Sequence, residues 1–376
     1  MMNSLRPARR FFQSPLFVII FVAVASLLVN LYVLNESFDW GHWLYLGGVL
    51  LFCCSYLAVS YFFYRVDRGV LVGRLGLLFE PSRCVVSLYW FFSILSLLLS
   101  LYKMYTVGWL GDKGAFFLNL RYAVSFEGVS SYGAQHFALF AIALSLYYSQ
   151  KGMLFKTACA GGVYLISALS LAERTSILFL FVSVFYSLLF VGRLRFKGVF
   201  LAGCFLIFLF VVIAVGAGKT GSGGYFGFIF DYFGYGLTSL SDWLKGREFD
   251  GCGVLVFGTL YKYLTLGAAS CDQVDDLFNI TDRFNVYTYV ASPYLYGGSL
   301  GVVVFMLALG GWYSFLWNIA LRRRGYFLAI LSIYMYAVVM VFYAWQFSLT
   351  TYLYMFFVLI PLFVKIKVTG REGLGV

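Results

Sequence analysis

Residues 151–197, KGMLFKTACAGGVYLISALSLAERTSILFLFVSVFYSLLFVGRLRFK, decide the architecture. Beyond Lys156 the stretch carries charge only at Glu173-Arg174 until Arg193 is reached. A helix needs ~20 apolar residues to cross ~30 Å of hydrocarbon, and each side of the Glu173-Arg174 pair approaches that length. Basic residues bracket the whole stretch: Lys151 and Lys156 before it, Arg193, Arg195 and Lys197 after it. This is the pattern of a helical hairpin with both ends on one side of a membrane and a two-residue tip on the other.

Worked outward, the same pattern fills the chain of 376 residues. It is 62% hydrophobic and 11% charged, with a mean hydropathy of +0.87. That leaves too little polar surface for a water-soluble domain. Ten apolar runs emerge, at 16–34, 42–64, 84–102, 133–149, 154–172, 175–191, 198–216, 294–317, 326–344 and 347–364. The expected fold is an all-α polytopic membrane protein, a single integral membrane domain over 1–376 with ten transmembrane helices. Aromatic residues make up 21% of the chain and are expected at the lipid face and the headgroup level.

Basic residues fall on every second connection. Arg6, Arg9 and Arg10 precede the first run; Arg65, Arg68, Arg74 and Arg83 lie between the second and third; Lys151 and Lys156 follow the fourth. Arg193, Arg195 and Lys197 follow the sixth, Arg322, Arg323 and Arg324 the eighth, and Lys365, Lys367 and Arg371 the tenth. These are 18 of the 27 basic residues, with only Asp67, Glu80 and Glu372 among them. Cytoplasmic connections retain Lys and Arg, so both termini are expected in the cytoplasm. Charge spread over six separate segments speaks for topology and against nucleic acid as a partner. The first run lacks a small-residue cleavage site and reads as a retained anchor.

On the outer face two connections are long, 103–132 and 217–293. Loops of such length are commonly functional. Both carry apolar stretches too short to span: 115–126, Tyr225 to Tyr235, and Val254 to Leu266. They read as interfacial or re-entrant helices roofing the outer end of the bundle. Cys53, Cys54, Cys84, Cys159 and Cys204 lie in or beside spans and read as small packing residues; Cys252 and Cys271 share the large loop, where a disulfide is one alternative. No Cys/His spacing suggests a metal site. Gly218-Lys219-Thr220 resembles the end of a phosphate-binding loop, but Ile213 stands where its first glycine belongs.

The outer charges need an explanation. Arg121 sits in the apolar run Phe116–Val124, where it either snorkels to lipid phosphates or clamps an anion. Neighbours on a helix point about 100° apart, so Glu173 is a poor partner for Arg174. Arg247 and Arg283 lie in the long loop, the latter just ahead of Asn285-Val286-Tyr287-Thr288-Tyr289. Guanidinium groups gathered on one face imply an anionic ligand, because their planar fork matches phosphate oxygens. Arginine cannot act as a base, so a proton acceptor would come from His136, Glu127, Glu173 or Asp282.

Ala172-Glu173-Arg174-Thr175-Ser176 at the hairpin tip, and Arg283-Phe284-Asn285-Val286-Tyr287-Thr288-Tyr289 followed by Tyr294-Leu295-Tyr296-Gly297-Gly298, resemble the Wzy-type O-antigen (oligosaccharide repeat-unit) polymerases. Arg247 and Gly258 are spaced like an arginine–glycine pair of some outer loops in that family. The family's tip is Gly-Ser-Arg-Thr-like; here Ala172 and Glu173 stand in the small-residue places. The resemblance implies a cofactor-independent glycosyltransferase at the periplasmic face of the bacterial inner membrane. It would join undecaprenyl-diphosphate-linked repeat units, with Arg121, Arg174, Arg247 and Arg283 holding the diphosphate. Glu173 and His136 would be its further catalytic candidates, and Asn285, Tyr287 and Tyr289 would contact sugar. By the same resemblance a chain-length regulator protein is a partner, beside the lipid-linked donor and acceptor and the membrane lipid itself. An O-antigen ligase uses the same donor and is not separated from a polymerase by hydropathy. A lipid-linked oligosaccharide flippase would want cations deep within many spans, whereas here they keep to the outer rim.

Overall fold

The computed structural model describes residues 11–66, 81–111, 116–125, 134–171, 174–194, 288–322, 324–341 and 350–363, with residues 198, 201, 204, 208, 230, 234, 236–241 and 244 between them. The described residues are almost all helical and include no strand. Ser14 begins α1 (Pro15–Leu28): its side chain accepts from the Phe17 N–H and Pro15 takes the first turn, where a missing N–H costs nothing. The helix then widens into a π turn, Val29–Val33. α2 is Trp40–Val66, and α3 is Arg83–Lys103 capped by Ser82. α3 also runs on into a π turn, Met104–Trp109, so the first residues of the connection expected at 103–132 belong to helix. The expected interfacial stretch at 115–126 is α4, Phe116–Ser125.

α5 (Ala134–Lys151), α6 (Leu154–Leu169) and α7 (Arg174–Val191) follow the periodicity closely. The turn between α5 and α6 needs Gly152, whose φ of +76° puts it in the left-handed region. α8 is Ala291–Arg322, α9 Tyr326–Val339 and α10 Thr350–Phe363. The seventh run, 198–216, and the second apolar stretch of the large loop, 254–266, lie largely or wholly outside the described residues.

α8 corrects the sequence reading. The hydropathy run begins at 294, but the helix breaks at Gly297 and Gly298, the latter with φ +57°. Residues 291–296 fold back, so that the Pro293 carbonyl lies against Gly301 where a side chain would stand. Eight residues along a continuous helix would separate these groups by about 12 Å. The part of α8 long enough to cross a membrane is therefore Gly297–Arg322.

Three further helical stretches are long and apolar enough to cross: Pro15–Val33, Trp40–Arg65 and Arg83–Trp109. Their outward faces carry exposed Phe21, Leu50, Leu57, Phe62, Phe91 and Leu98. α5 and α9 form the core. α5 is buried on every face from Ala141 through Gln150, and α9 from Leu328 to Ile333 and from Met335 to Val338. A helix buried all round takes apolar and small residues at every position, which is why neither shows a polar stripe. α5 packs on α3, α6, α7 and α10; α9 packs on α1, α7, α8 and α10; α2 packs chiefly on α8.

Helix ends rich in basic residues are tied together. Gln13 donates to the Leu189 carbonyl (3.2 Å) and accepts at its own carbonyl from Tyr186 Oη (2.6 Å). The Gln150 amide donates to the Gly325 carbonyl (3.0 Å) and accepts from its N–H (2.9 Å). Arg322 donates to the Phe63 carbonyl (3.3 Å) with its guanidinium over the Phe63 ring. Exposed Trp40, Trp43 and Trp109 mark the opposite end, and Tyr64 and Phe155 the basic end. Among the cysteines read as packing residues, Cys54, Cys84, Cys159 and Cys204 are instead exposed, because they fall on outward helix faces; Cys53 is half-buried.

The α2–α8 crossing depends on Gly310, where a Cβ would overlap the Phe52 carbonyl oxygen; at Gly311 the nearest atom is Ser55 Oγ at 3.4 Å. Gly310→Ala should therefore cost about 1–3 kcal/mol through overpacking. Gly311→Ala should be neutral. Thermal unfolding of the purified variants in detergent checks this, and equal midpoints would refute the close crossing.

Candidate functional site

At the end of the bundle away from the basic residues, a half-open cavity of about 360 Å³ lies between four helices. α5 contributes Gln135, His136 and Leu139; α6 contributes Tyr164 and Ser167, and the turn after it Leu171; α7 contributes Ser176; α10 contributes Thr351 and Tyr354. The lining mixes amide, imidazole and hydroxyl groups with apolar walls, and none of the described lining residues is a carboxylate. The His136 ring meets the Tyr354 ring edge-on at 5.8 Å.

Three helices present their leading described turns here. Gln135 and His136 lie in the first turn of α5, Ser176 in the first turn of α7, and Thr351 in the first turn of α10. The first N–H groups of a helix have no partner within it and carry the positive end of its dipole. Three such ends around one cavity make a site suited to an anion. α6 enters by its C-terminal half, and its small residues Ser167 and Ala168 leave the space open. α3 braces the arrangement: Ser96 Oγ donates to the Ala134 carbonyl (2.8 Å) and lies 3.4 Å from Ser167 Oγ. Ser93, Ser96 and Ser100 form a buried small-residue face that lets α3 approach closely.

Of the residues singled out in the sequence, His136 lines this cavity and Arg174 is the first residue of α7, two positions before Ser176. Arg121 belongs to α4. Asn119 on that helix is docked on the α3 extension, donating to the carbonyls of Gly108 (2.8 Å) and Gly111 (3.0 Å). Tyr289 is fully buried away from the cavity. Its N–H donates to the Val341 carbonyl (3.1 Å) and its hydroxyl to the Tyr45 carbonyl (2.9 Å), so it anchors the chain ahead of α8. Burial, with Tyr45 and then Cys53 nearby, pushes the Tyr289 phenol well above its ordinary range and keeps it a donor. Glu173, Arg247, Arg283, Asn285 and Tyr287 lie outside the described residues, as do Glu127 and Asp282.

The sequence reading passed over the second histidine. His42 is buried, with Nδ1 2.8 Å from Asp39 Oδ1 and Nε2 2.7 Å from Asn30 Oδ1. A signal was present: Asp39 directly precedes an apolar run, and it caps α2 by accepting from the Gly41 N–H (3.0 Å). Among the described residues no three His, Cys, Asp or Glu side chains come together as a metal site requires.

The described residues are almost all helical, with four helices among them fit to cross a membrane and a polar cavity at one end. The chain matches no protein-family model, no curated protein and no solved structure.

Ser96→Val removes the brace donor and leaves the Ala134 carbonyl without it. The expected loss is about 1 kcal/mol of stability. Exposed Ser87→Val on the same helix should stay within about 0.5 kcal/mol of the parent. Chemical unfolding curves of the two variants compare these values; equal midpoints would show that the brace carries nothing.

Proposed function

We propose that the chain is a ten-span inner-membrane glycosyltransferase. It polymerises undecaprenyl-diphosphate-linked oligosaccharide repeat units into O-antigen polysaccharide at the periplasmic face. The observation that carries this reading is the convergence of the leading described turns of α5, α7 and α10 on one polar cavity with no carboxylate among its described lining residues. A diphosphate leaving group is the kind of ligand such a site favours. The tying together of basic helix ends at the opposite pole supports an orientation with that pole in the cytoplasm and the cavity outside.

In the proposed reaction an acceptor-sugar hydroxyl oxygen attacks the anomeric carbon of the growing chain. The bond from that carbon to the diphosphate oxygen breaks, and the lipid diphosphate departs with the electron pair. Negative charge grows on the diphosphate in the transition state, where the helix N-termini and Arg174 at the head of α7 act. One well-aimed donor of this kind is worth about 3 kcal/mol, on the order of a hundredfold in rate. His136, at the cavity wall, takes the acceptor's proton in this scheme. Tyr164 and Tyr354 offer ring faces and hydroxyls for sugar. No ATP or nucleotide sugar enters the reaction, because the donor carries its own leaving group.

Arg174→Ala and Arg283→Ala should each abolish long-chain polysaccharide while protein abundance holds. Lys at either position should restore little, since a point charge lacks the planar fork. A gel of lipopolysaccharide from a deletion strain carrying each variant provides the test. Lipid A–core with a single repeat unit marks a lost polymerase. Bare core with polymer retained on the carrier would instead mark a ligase, and precursor held on the cytoplasmic leaflet a flippase. Normal ladders in both Ala variants would overturn the clamp.

A further inference from the structure

We infer that Asn30, Asp39 and His42 form a latch that seats residues 234 and 236–241, in the leading part of the long outer loop, on the α1–α2 hairpin. Asn30 stands in the π turn that ends α1 and is fully buried. A π turn carries one residue more per hydrogen-bonded ring than the α-helix before it, which re-aims side chains at that point. The Asn30 amide nitrogen donates to the Gly234 carbonyl (2.9 Å) and to Thr238 Oγ1 (3.0 Å). Those two bonds fix the amide's orientation, so Oδ1 faces His42 Nε2 as an acceptor and Nε2 is the donor.

The other side of the imidazole completes the chain. Nδ1 accepts from the Asp39 backbone N–H at 3.2 Å and lies 2.8 Å from Asp39 Oδ1, which itself accepts from Ser241 Oγ at 2.6 Å. The imidazole thus links Asn30, which bonds residues 234 and 238, to Asp39, which bonds Ser241. The Phe38 ring stacks on that imidazole, with centroids 5.0 Å apart. Apolar contacts reinforce the seat: Leu237 and Leu240 are fully buried, and the space at Gly41 is taken by Ser241. Asn30 and His42 at the centre of this chain are fully buried, where an unpaired polar group is costly, so removing His42 releases both arms together.

The far end of the loop is held nearby. Tyr289 bonds to the Tyr45 carbonyl, one helical turn beyond His42, and Tyr289 and Val290 fill the space beside Gly48. The first turns of α2 therefore receive the chain on both sides of residues 242–287. The latch makes His42 and Asp39 positioning residues for the outer loop. It stands independently of the glycosyltransferase reading, because it concerns where the chain is held rather than what it transforms.

A reporter disulfide reads the seat without touching the latch side chains. A Cβ at Gly234 would lie 3.2 Å from Leu34 Cγ, close to the spacing a Cys sulfur needs. The full-length Leu34→Cys/Gly234→Cys protein, with a protease site inserted between residues 67 and 80, should keep its two fragments joined after brief oxidation and cleavage. Adding His42→Leu should lower the joined fraction at least fivefold. Asn30→Asp, which loses both amide donors, should lower it similarly, and Ser241→Ala about twofold. A joined fraction unchanged in His42→Leu protein that elutes as one species in detergent overturns the latch. If that variant does not elute so, Asn30→Asp decides by the same measure: a drop supports the latch and an unchanged fraction overturns it. Because the readout is chain geometry, polysaccharide synthesis has no bearing on it.

Discussion

Inside an apolar bundle a polar group has no water to fall back on, so another part of the protein must meet it. The register of these helices rests on that requirement. Gln150 at the end of α5 closes a two-bond ring with the backbone of Gly325 at the head of α9. Ser145 donates to the Thr157 carbonyl across the α5–α6 hairpin, and Ser55 to the Leu307 carbonyl between α2 and α8. Asn30 and His42 do the same between the first hairpin and the outer loop. Dispersion packing alone tolerates sliding, whereas each of these bonds is lost if a helix shifts by one residue. Small residues make the bonds possible by letting backbones approach, as Gly310 does at Phe52 and Ser96 at Ala134.

The same requirement has a second face at the cavity. The leading described turns of α5, α7 and α10 face one cavity, and the N–H groups of a helix's first turn have no partner within the helix. Around a half-open cavity such groups favour a ligand that brings negative charge and acceptor oxygens. Pre-oriented dipoles of this kind cost no reorganisation when charge moves, which is what a departing diphosphate would exploit in the proposed reaction. The start of α2 instead bonds Ser241 and Tyr289, so holding those residues and shaping the cavity fall to different helices.

Helices were legible because hydropathy and charge are local. The runs at 42–64, 154–172 and 175–191 match α2, α6 and α7 to within about three residues at each end. What hydropathy missed was backbone geometry. The run at 294–317 contains Gly297 and Gly298 as two ordinary small residues, and a window average does not register that the chain folds back there. α3 outlasts its apolar run because the π turn through Trp109 is held by Asn119 of α4, a contact between segments. The cavity was illegible for a similar reason. Gln135, Ser176 and Thr351 are far apart in sequence, and only the packing of α5, α7 and α10 brings them together. Arg174 and His136 stood out because charge and imidazole are rare in this chain. His42 was equally rare, but its partner Asn30 carries no charge and left no signal; the cap at Asp39 was the available clue.

The most direct measurement is thermal unfolding of the purified protein in detergent with an undecaprenyl diphosphate or undecaprenol of the same chain length. Ligand at about a hundred times its dissociation constant should stabilise the protein by about 2.7 kcal/mol. The diphosphate should raise the midpoint by several degrees and the alcohol should not, and Ala168→Phe, which fills the cavity, should erase the difference. Equal shifts from diphosphate and alcohol, or a diphosphate shift that survives Ala168→Phe, would contradict an anion site between α5, α6, α7 and α10.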